Sequence, residues 1–333
     1  MNSIMSNNTQ ERKPHTKADL RLALAACCLM LHLPVHSVHA DVSLKLLEVG
    51  NLDWVGGGGA GYGAFDPAEV PQTLRFKVKL EEGESSSYFV TVSAGVSGDY
   101  QNRQVRQGNE ALTYQLYDSE GGQRTVLKAL PTAAFNEVLS GSLSAEGDIQ
   151  ELACVAIVVP AQVRRSGLYT DTFTLTLYSG TLQDYTEQDA KTVVLSVPAG
   201  ENVELSLSPS GSSFDSGTRS ALMDFGALRK DAHRELDLRV RSNAGYSITL
   251  ESDNNGVLKH TGANVNSVVP YTLRLAGNPV NLGSGAQTPV LQPGRLTDAN
   301  GDNYELSVTI GEVSGAVAGD YRDVITVTVA AQN

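Results

Sequence analysis

The stretch Gly319-Asp-Tyr-Arg-Asp-Val-Ile-Thr-Val-Thr-Val329 decides the fold, because it repeats the earlier stretch Gly167-Leu-Tyr-Thr-Asp-Thr-Phe-Thr-Leu-Thr-Leu177. Five of the eleven positions are identical, and apolar residues alternate with polar ones at the end of both stretches. Alternation with a period of two predicts a β-strand with one face in a core and the other in water. The recurrence predicts that the chain contains the same domain twice.

Four further pairs of segments occur in the same order in the two halves of the chain. The matched segments are Val42–Leu46 with Val203–Leu207, Tyr62–Phe65 with Phe225–Leu228, Leu74–Val78 with Leu236–Val240, and Ala111–Tyr117 with Val269–Leu275. Turn-forming clusters separate the strands, and no long amphipathic helix pattern competes. We therefore predict an all-β fold of two immunoglobulin-like antiparallel β-sandwich domains in tandem, residues 41–199 and 200–333.

The first forty residues predict a secretory signal peptide rather than a part of the fold. Four basic residues (Arg12, Lys13, Lys17 and Arg21) precede the apolar run Leu22–Val35, and Val38-His39-Ala40 offers a cleavage site after Ala40. Leu24-Ala25-Ala26-Cys27 also fits a lipoprotein cleavage box, but only five apolar residues separate Arg21 from Cys27. The signal predicts passage through the periplasm.

Composition excludes several classes of function. The 333 residues carry a net charge of −12, which opposes binding to nucleic acid. Hydrophobic residues make up 41% of the chain, enough for packed cores. After signal cleavage Cys154 is the single cysteine, so no intrachain disulfide forms; its apolar surroundings, Leu152–Val159, predict an inert core thiol.

The two copies differ after their last matched strand. In the first copy a polar turn through Thr181–Gln188 leads into Thr192-Val-Val-Leu-Ser-Val197, an additional predicted strand. In the second copy the sequence ends at Asn333, four residues after Val329. We predict that the second domain lacks its final strand, so that three side chains line an open apolar groove: Ile325, Val327 and Val329. An uncovered edge of this kind calls for a donor strand from another chain.

Two alternatives remain open for these segments. Residues 192–197 could be a linker strand that leaves both copies equally complete. Residues 42–47 could be a free donor arm, although their counterpart Val203–Leu207 lies inside the chain and cannot be donated freely.

The repeated segments resemble the spore coat protein U-like family, the pilin domain of archaic chaperone–usher fimbriae. The resembling residues are Phe225–Leu228, Val240–Leu250, Tyr271–Leu273 and Gly319–Val329, with Tyr114–Tyr117 and Gly167–Leu177 in the first domain. The chain departs from the family in lacking paired cysteines and in ending in Ala-Ala-Gln-Asn instead of an aromatic tail.

The resemblance implies a fimbrial tip adhesin without enzymatic activity or cofactor. Its implied partners are a periplasmic pilus chaperone, an outer-membrane usher, and the donor strand of the adjacent pilin subunit. It implies a place at the fimbrium tip on the cell surface and a role in attachment and biofilm formation, with the receptor left open. A non-adhesive minor pilin or a coat-like structural protein is the alternative within the class.

Loops of the first domain are the expected adhesive sites, and each holds apolar or aromatic side chains. The candidates are Trp54, Val55 and Tyr62 in Asn51–Tyr62, Phe135 and Val138 in Pro131–Leu139, and Tyr185 in Thr181–Gln188. An aromatic side chain on a loop docks onto an apolar surface or stacks on a sugar. The alternative is that Trp54 and the Phe135 segment fold back onto their own core.

Catalytic chemistry finds little support in the sequence. His233 and His260 are the only histidines after residue 40, too few with Cys154 for a metal site, and both are expected at the surface. Gly56–Gly61 satisfies a dinucleotide-binding glycine spacing without a following helix. Asp298–Asp302 lacks the closing glutamate of a calcium loop and predicts a hairpin turn. A secreted carbohydrate-active enzyme that uses carboxylates remains the alternative from another class.

Overall fold

The computed structural model describes residues 42–56, 61–283 and 290–332. The predicted signal peptide with its cleavage site at Ala40, four residues of the glycine tract and Asn333 lie outside the described residues. Strands dominate the fold, with one turn of 3-10 helix at Phe135–Glu137. Within the described ranges, no helix has the length and apolarity needed to cross a membrane.

Ten strands build the first sandwich. They are β1 Ser43–Leu47, β2 Leu52–Asp53, β3 Pro71–Glu82, β4 Ser86–Val92, β5 Arg103–Gln107, β6 Glu110–Tyr117, β7 Leu139–Leu143, β8 Ile149–Val158, β9 Gly167–Thr181 and β10 Asp184–Ala199. Their order is β1-β3-β8-β6-β5-β9-β10-β2, and β4 pairs with both β7 and β9. On β3 the alternation follows the prediction: Phe76 and Val78 are buried, while Arg75 points into solvent.

The second sandwich follows with its own core. Its strands are β11 Val203–Ser208, β12 His233–Ser242, β13 Gly245–Ser252, β14 Val257–His260, β15 Val268–Leu275, β16 Asn278–Val280, β17 Asp302–Ile310, β18 Tyr321–Arg322 and β19 Ile325–Gln332. One layer has the order β11-β12-β17-β15-β14-β18 with β16 beside β15, and the other layer is the pair β13–β19. The prediction of an all-β fold with two antiparallel sandwiches is confirmed.

The repeated motif has the same geometry in both sandwiches. Gly167 and Gly319 have φ angles of 142° and 149°, which side-chain-bearing residues rarely adopt. Two residues later, Tyr169 and Tyr321 donate from their hydroxyls to the carbonyl oxygen four residues upstream, at 2.7 and 2.8 Å. This arrangement is the tyrosine corner of immunoglobulin-like sandwiches, so the sequence identity of the repeat reflects a shared turn into the closing strand.

A hydrogen bond and a stacked guanidinium join the two sandwiches. The side-chain oxygen of Asn202 accepts a hydrogen bond from the Ala64 N–H at 2.9 Å. The Arg241 guanidinium lies over the rings of Phe214, at 3.9 Å, and Phe65, at 4.8 Å. These contacts place side chains of the second sandwich directly against the loop that follows β2.

One expectation about the first sandwich needs correction, and the structure excludes two alternatives that the sequence left open. The predicted turn through Thr181–Gln188 is too long, because β9 continues to Thr181 and β10 begins at Asp184. Residues 192–197 are not a linker strand, since they belong to β10, which pairs with β9 up to Ala199. Residues 43–47 are not a free arm, because they form β1, which pairs with β3 and buries Leu44 and Leu46.

Candidate functional site

The closing strand of the second sandwich has one unpaired edge. β19 pairs with β13 from Ile325 to Gln332, and no other strand of the described residues pairs with it. Its counterpart β9 is paired on both sides over Leu175–Ser179, with β4 on one edge and β10 on the other. The N–H and C=O groups along one edge of β19 are therefore available to a further strand.

The inward side chains of β9 show what the additional strand does in the first sandwich. Those side chains, Phe173, Leu175 and Leu177, are at most 1% exposed. The neighbouring strand β10 contributes three buried apolar side chains to the same core: Val193, Leu195 and Val197. β10 thus adds a strand to the free edge of β9 and covers the core beside it.

The equivalent side chains of β19 have no such cover. Ile325, Val327 and Val329 pack against the core of the second sandwich yet stay half-buried. The two closing strands share their motif and their tyrosine corner. They differ in that β10 covers β9, whereas no strand of the described residues covers β19 in the same way. The groove along these side chains stays a prediction.

We expect β11 to form the opposite wall of the predicted groove. Leu205 and Leu207 are half-buried, whereas their counterparts Leu44 and Leu46 in β1 are 3% and 2% exposed. The strand as a whole is not loosely packed, because Ser206, on its other face, is fully buried and accepts a hydrogen bond from Asp215 N–H. Only the face of β11 that looks toward β19 is open.

The first sandwich indicates how a strand would occupy this space. There β10 reaches β1 through side chains: the Leu44 N–H donates to Gln188 Oε1 at 3.1 Å, and the Leu46 N–H to Asp189 Oδ2 at 3.0 Å. In the second sandwich β11 and β19 correspond to β1 and β9, and no strand of the described residues pairs with β19 in the way that β10 pairs with β9. Such a groove accepts an extended segment through backbone hydrogen bonds and alternate apolar side chains.

A hydrogen-bonded tyrosine and aspartate lie at the end of the groove where β18 leads into β19. The Tyr271 hydroxyl donates to Asp323 Oδ2 at 2.5 Å, and the Ser252 hydroxyl donates to the same oxygen at 2.7 Å. Burial, followed by the hydrogen bond to the Asp323 carboxylate, raises the pKa of Tyr271. The tyrosine therefore stays protonated at neutral pH.

Half of the predicted adhesive side chains are buried. Trp54 is 4% exposed and packs in the core of the first sandwich, the alternative that the sequence left open. Tyr62 is also buried, and its hydroxyl donates to Val159 O and accepts from Gln162 N–H. Val138 is buried where the chain enters β7. The expectation that these three side chains face a receptor is therefore wrong for this structure.

The other three candidates lie on the surface. Val55 is 53% exposed, Phe135 is 76% exposed and Tyr185 is 45% exposed. Phe135 begins the 3-10 turn, and Tyr185 lies at the start of β10. They belong to separate segments and do not form one cluster.

A buried arginine that the sequence did not single out ties two loops of the first sandwich together. Arg103 donates to the Ser93 carbonyl at 3.0 Å and to the Leu127 carbonyl at 2.6 Å, and burial lowers its pKa. Its guanidinium lies 5.1 Å from the ring centre of Tyr100, whose hydroxyl accepts from Ala129 N–H. The loop before Tyr100 and the loop carrying Phe135 are therefore held to the same anchor.

The groups that catalysis would need are dispersed. His233 lies on the surface, and His260 is half-buried with its ring edge-on to Tyr321. No group of three or more metal-ligating side chains is found in the described part of the chain. Burial raises the pKa of Cys154 to about 12, so this thiol is unreactive at neutral pH.

Residues 57–176 match the family model of the Spore Coat Protein U domain, so the predicted resemblance is confirmed for this part of the chain. No curated protein matches the sequence.

Several solved structures of fimbrial adhesins are similar to the chain at low sequence identity. One is the complex of chaperone CsuC with tip subunit CsuE from archaic chaperone–usher Csu pili of Acinetobacter baumannii: 13% identity, TM-score 0.40, covering 86% of this chain and 99% of that chain. The CupB6 tip adhesin of Pseudomonas aeruginosa has 9% identity and a TM-score of 0.37, covering 86% of this chain and 94% of that chain. CfaE, the adhesive subunit of CFA/I fimbria of enterotoxigenic Escherichia coli, has 14% identity and a TM-score of 0.32, covering 87% of this chain and 82% of that chain.

Proposed function

From the premise that residues 57–176 belong to a Spore Coat Protein U domain, we propose that this chain is the two-domain tip adhesin of an archaic chaperone–usher fibre. The first sandwich carries the attachment surface, and the second joins the fibre. The role is one of binding and assembly, without catalysis.

The observation that carries the proposal is the unequal burial of the two closing strands. Val327 is half-buried while its counterpart Leu175 is fully buried, although both follow the same tyrosine corner. Covering the half-exposed apolar side chains of β19 and β11 contributes about 1 kcal/mol for each side chain. A donor strand from the adjacent subunit supplies that cover and pairs with the free edge of β19.

The same groove explains why the chain needs a partner before it reaches the fibre. An open strand edge beside apolar side chains promotes association with other unfolded or partly folded chains. A periplasmic chaperone that fills the groove prevents this, and an outer-membrane usher exchanges it for the next subunit. The predicted signal peptide, residues 1–40, supports this route to the cell surface.

Attachment is assigned to the end of the first sandwich farthest from the second. β10 runs sixteen residues from Asp184 to Ala199, so its first residue lies about 50 Å from the junction. Tyr185 is exposed at this distal end, and Phe135 and Val55 are exposed on other segments of the same sandwich. These three side chains are the proposed contacts with a surface or receptor.

A self-complemented chain tests the assembly role. By the repeat, Asn333 corresponds to Thr181, so a copy of residues 182–199 fused directly after Asn333 reproduces the β9–β10 hairpin in register. Val193, Leu195 and Val197 of the copy then lie opposite Ile325, Asp323 and Tyr321. We expect a soluble monomer whose melting temperature exceeds that of the parent by 10 °C or more.

The matched control is the same fusion with serine in place of Val193, Leu195 and Val197 of the copy. This control should not raise the melting temperature above that of the parent. Equal stability of the parent and both fusions would show that the groove takes no strand. A stable fusion protein that attaches to no surface would favour a non-adhesive minor subunit instead.

A further inference from the structure

The outer face of the sheet formed by β7, β4, β9 and β10 differs from the rest of the first sandwich in its chemistry. Strand pairing identifies the positions on this face: Ser140 and Ser142 of β7, Ser87, Phe89 and Thr91 of β4, Thr174, Thr176 and Tyr178 of β9, and Tyr185, Glu187, Ala190 and Thr192 of β10. Phe89 and Thr91 are covered by their neighbours and are 2% and 1% exposed. Hydroxyl-bearing and aromatic side chains dominate this set, and Glu187 is its single charged member. We call this surface the hydroxyl face.

The opposite sheet shows what an ordinary solvent-facing surface of this protein contains. The outward positions of β3 carry Arg75, Lys77 and Lys79, and Arg75 pairs with Glu151 of β8 at 3.1 Å. Both sheets alternate in the same way and bury the same kind of side chain. The low charge of the hydroxyl face is therefore a property of that sheet alone.

Three aromatic rings form a cluster on the hydroxyl face. Phe89 and Tyr178 are stacked on adjacent strands, with ring centres 4.9 Å apart and an angle of 15° between the rings. Tyr185 meets both rings edge-on, at 5.9 and 5.3 Å. Because Phe89 and Tyr178 support it, Tyr185 is held in place while 45% of its surface remains exposed.

We propose that the hydroxyl face binds a neutral polysaccharide chain, with Tyr185 as the stacking ring; this inference rests on the proposed role of the first sandwich in attachment. A sugar ring presents apolar C–H groups on its faces and hydroxyl groups around its rim. An aromatic side chain contacts the former, and serine and threonine hydroxyls donate to and accept from the latter. Four adjacent strands give a platform about 15 Å wide, which suits an extended chain.

Charge and polarity favour this ligand over three others. An anionic polymer finds no lysine or arginine at the outward positions of this face. A cationic ligand would meet one carboxylate on this face, that of Glu187, and no other charged group among its outward positions. A purely apolar material leaves the hydroxyls of Ser140, Ser142 and Thr192 without water or partner, which is unfavourable.

Binding of the full secreted chain to cellohexaose and to insoluble cellulose tests the proposal. We expect saturable binding that Tyr185→Ala weakens at least tenfold because the stacking ring is lost. Thr176→Lys should weaken binding similarly by placing a charge beside the rings while keeping all three of them. Ile149→Ala, at an exposed position of β8 outside this face, is the matched control and should bind cellohexaose like the parent.

Two results would overturn the proposal. One is that the chain does not bind cellohexaose, and the other is that Tyr185→Ala and Thr176→Lys both bind it like the parent. Binding to chitosan, which has the same backbone with amino groups, in strong preference to cellulose would overturn it in favour of a cationic ligand. Strong adsorption to polystyrene with none to cellulose would overturn it in favour of an apolar surface. The gain in stability from the fused donor strand is measured separately, so failure of the saccharide assay leaves the proposed assembly role standing.

Discussion

Tyr114 donates a hydrogen bond to Asp171 at 2.6 Å inside the first sandwich, and Tyr271 donates to Asp323 at 2.5 Å inside the second. Both aspartates are the fifth residue of the repeated Gly-x-Tyr-x-Asp motif. Burial and the neighbouring carboxylate raise the pKa of both tyrosines. The repeat therefore conserves a cross-layer bond from a strand of one sheet to the start of the closing strand.

Tyr114→Phe should lower the free energy of unfolding of the first sandwich by roughly 1–2 kcal/mol, because Asp171 loses a buried hydrogen-bond donor. Urea denaturation followed by fluorescence measures the change. Tyr185→Phe, which removes a hydroxyl from the surface, is the control and should leave the midpoint unchanged. Equal midpoints for Tyr114→Phe and the parent would contradict this role of the bond.

Arg103→Met should destabilise the first sandwich by about 2–4 kcal/mol, since the Ser93 and Leu127 carbonyls lose a charged donor in the interior. We also expect faster proteolysis at the loops before Tyr100 and around Phe135, which share this anchor. Arg106→Met, at an exposed position of the same strand, serves as the control. Unchanged protection of both loops would show that they are held independently of Arg103.

Val327→Ser should weaken binding of a synthetic peptide copying residues 182–199 about tenfold, because one apolar contact of the groove, worth about 1–2 kcal/mol, is lost. The free chain should lose less stability, since Val327 is half-exposed before the strand arrives. The counterpart Leu175→Ser should instead unfold the first sandwich, where that position is fully buried. Titration calorimetry and thermal melting separate the two outcomes; equal peptide affinity for Val327→Ser and the parent would argue against the groove.

Tyr88→Phe should make the chain more resistant to alkaline unfolding. Burial raises the pKa of Tyr88 to about 12 from an ordinary value of about 10. The unfolded state therefore releases this proton first, and stability falls as the pH rises from about 10 toward about 12. The Tyr88 hydroxyl has no hydrogen-bond partner within the described residues, so its removal costs nothing at neutral pH.

Melting curves at pH 7 and pH 11 check this expectation, with Tyr185→Phe as the surface control. The variant should match or exceed the parent at pH 7 and exceed it by a wider margin at pH 11. A variant that loses as much stability as the parent between the two pH values would mean that Tyr88 does not titrate in this range.

The strands and the unequal pair of domains could be predicted because they depend on local alternation and on a repeat. Val327 and Val329 alternate with threonine in the same way as Leu175 and Leu177. This local pattern predicts a strand without any information about the strands that pair with it. Within the described residues, only the first of the two closing strands, β9, is followed by a strand that pairs with it, β10. The half-exposure of the inward side chains of β19 agrees with this difference.

The loops could not be predicted because their burial depends on contacts between distant segments. Trp54 lies in a segment that the sequence analysis treats as a loop, yet its backbone N–H donates to the carbonyl oxygen of Ser196 in β10 and its ring packs in the core. Arg103 alternates with polar residues like a surface side chain, and only the fold reveals the carbonyls around it. The hydroxyl face was missed because its members come from four strands that are dispersed in the sequence.

The free edge of β19 also has a mechanical consequence. In the proposed fibre, a donor strand placed beside β19 in the manner of β10 would run antiparallel to it. Tension along that fibre would then pull the two strands past each other lengthwise, so that all hydrogen bonds between them share the load at once. An anchor of this geometry would resist detachment by flowing liquid without a covalent bond between this chain and the next subunit.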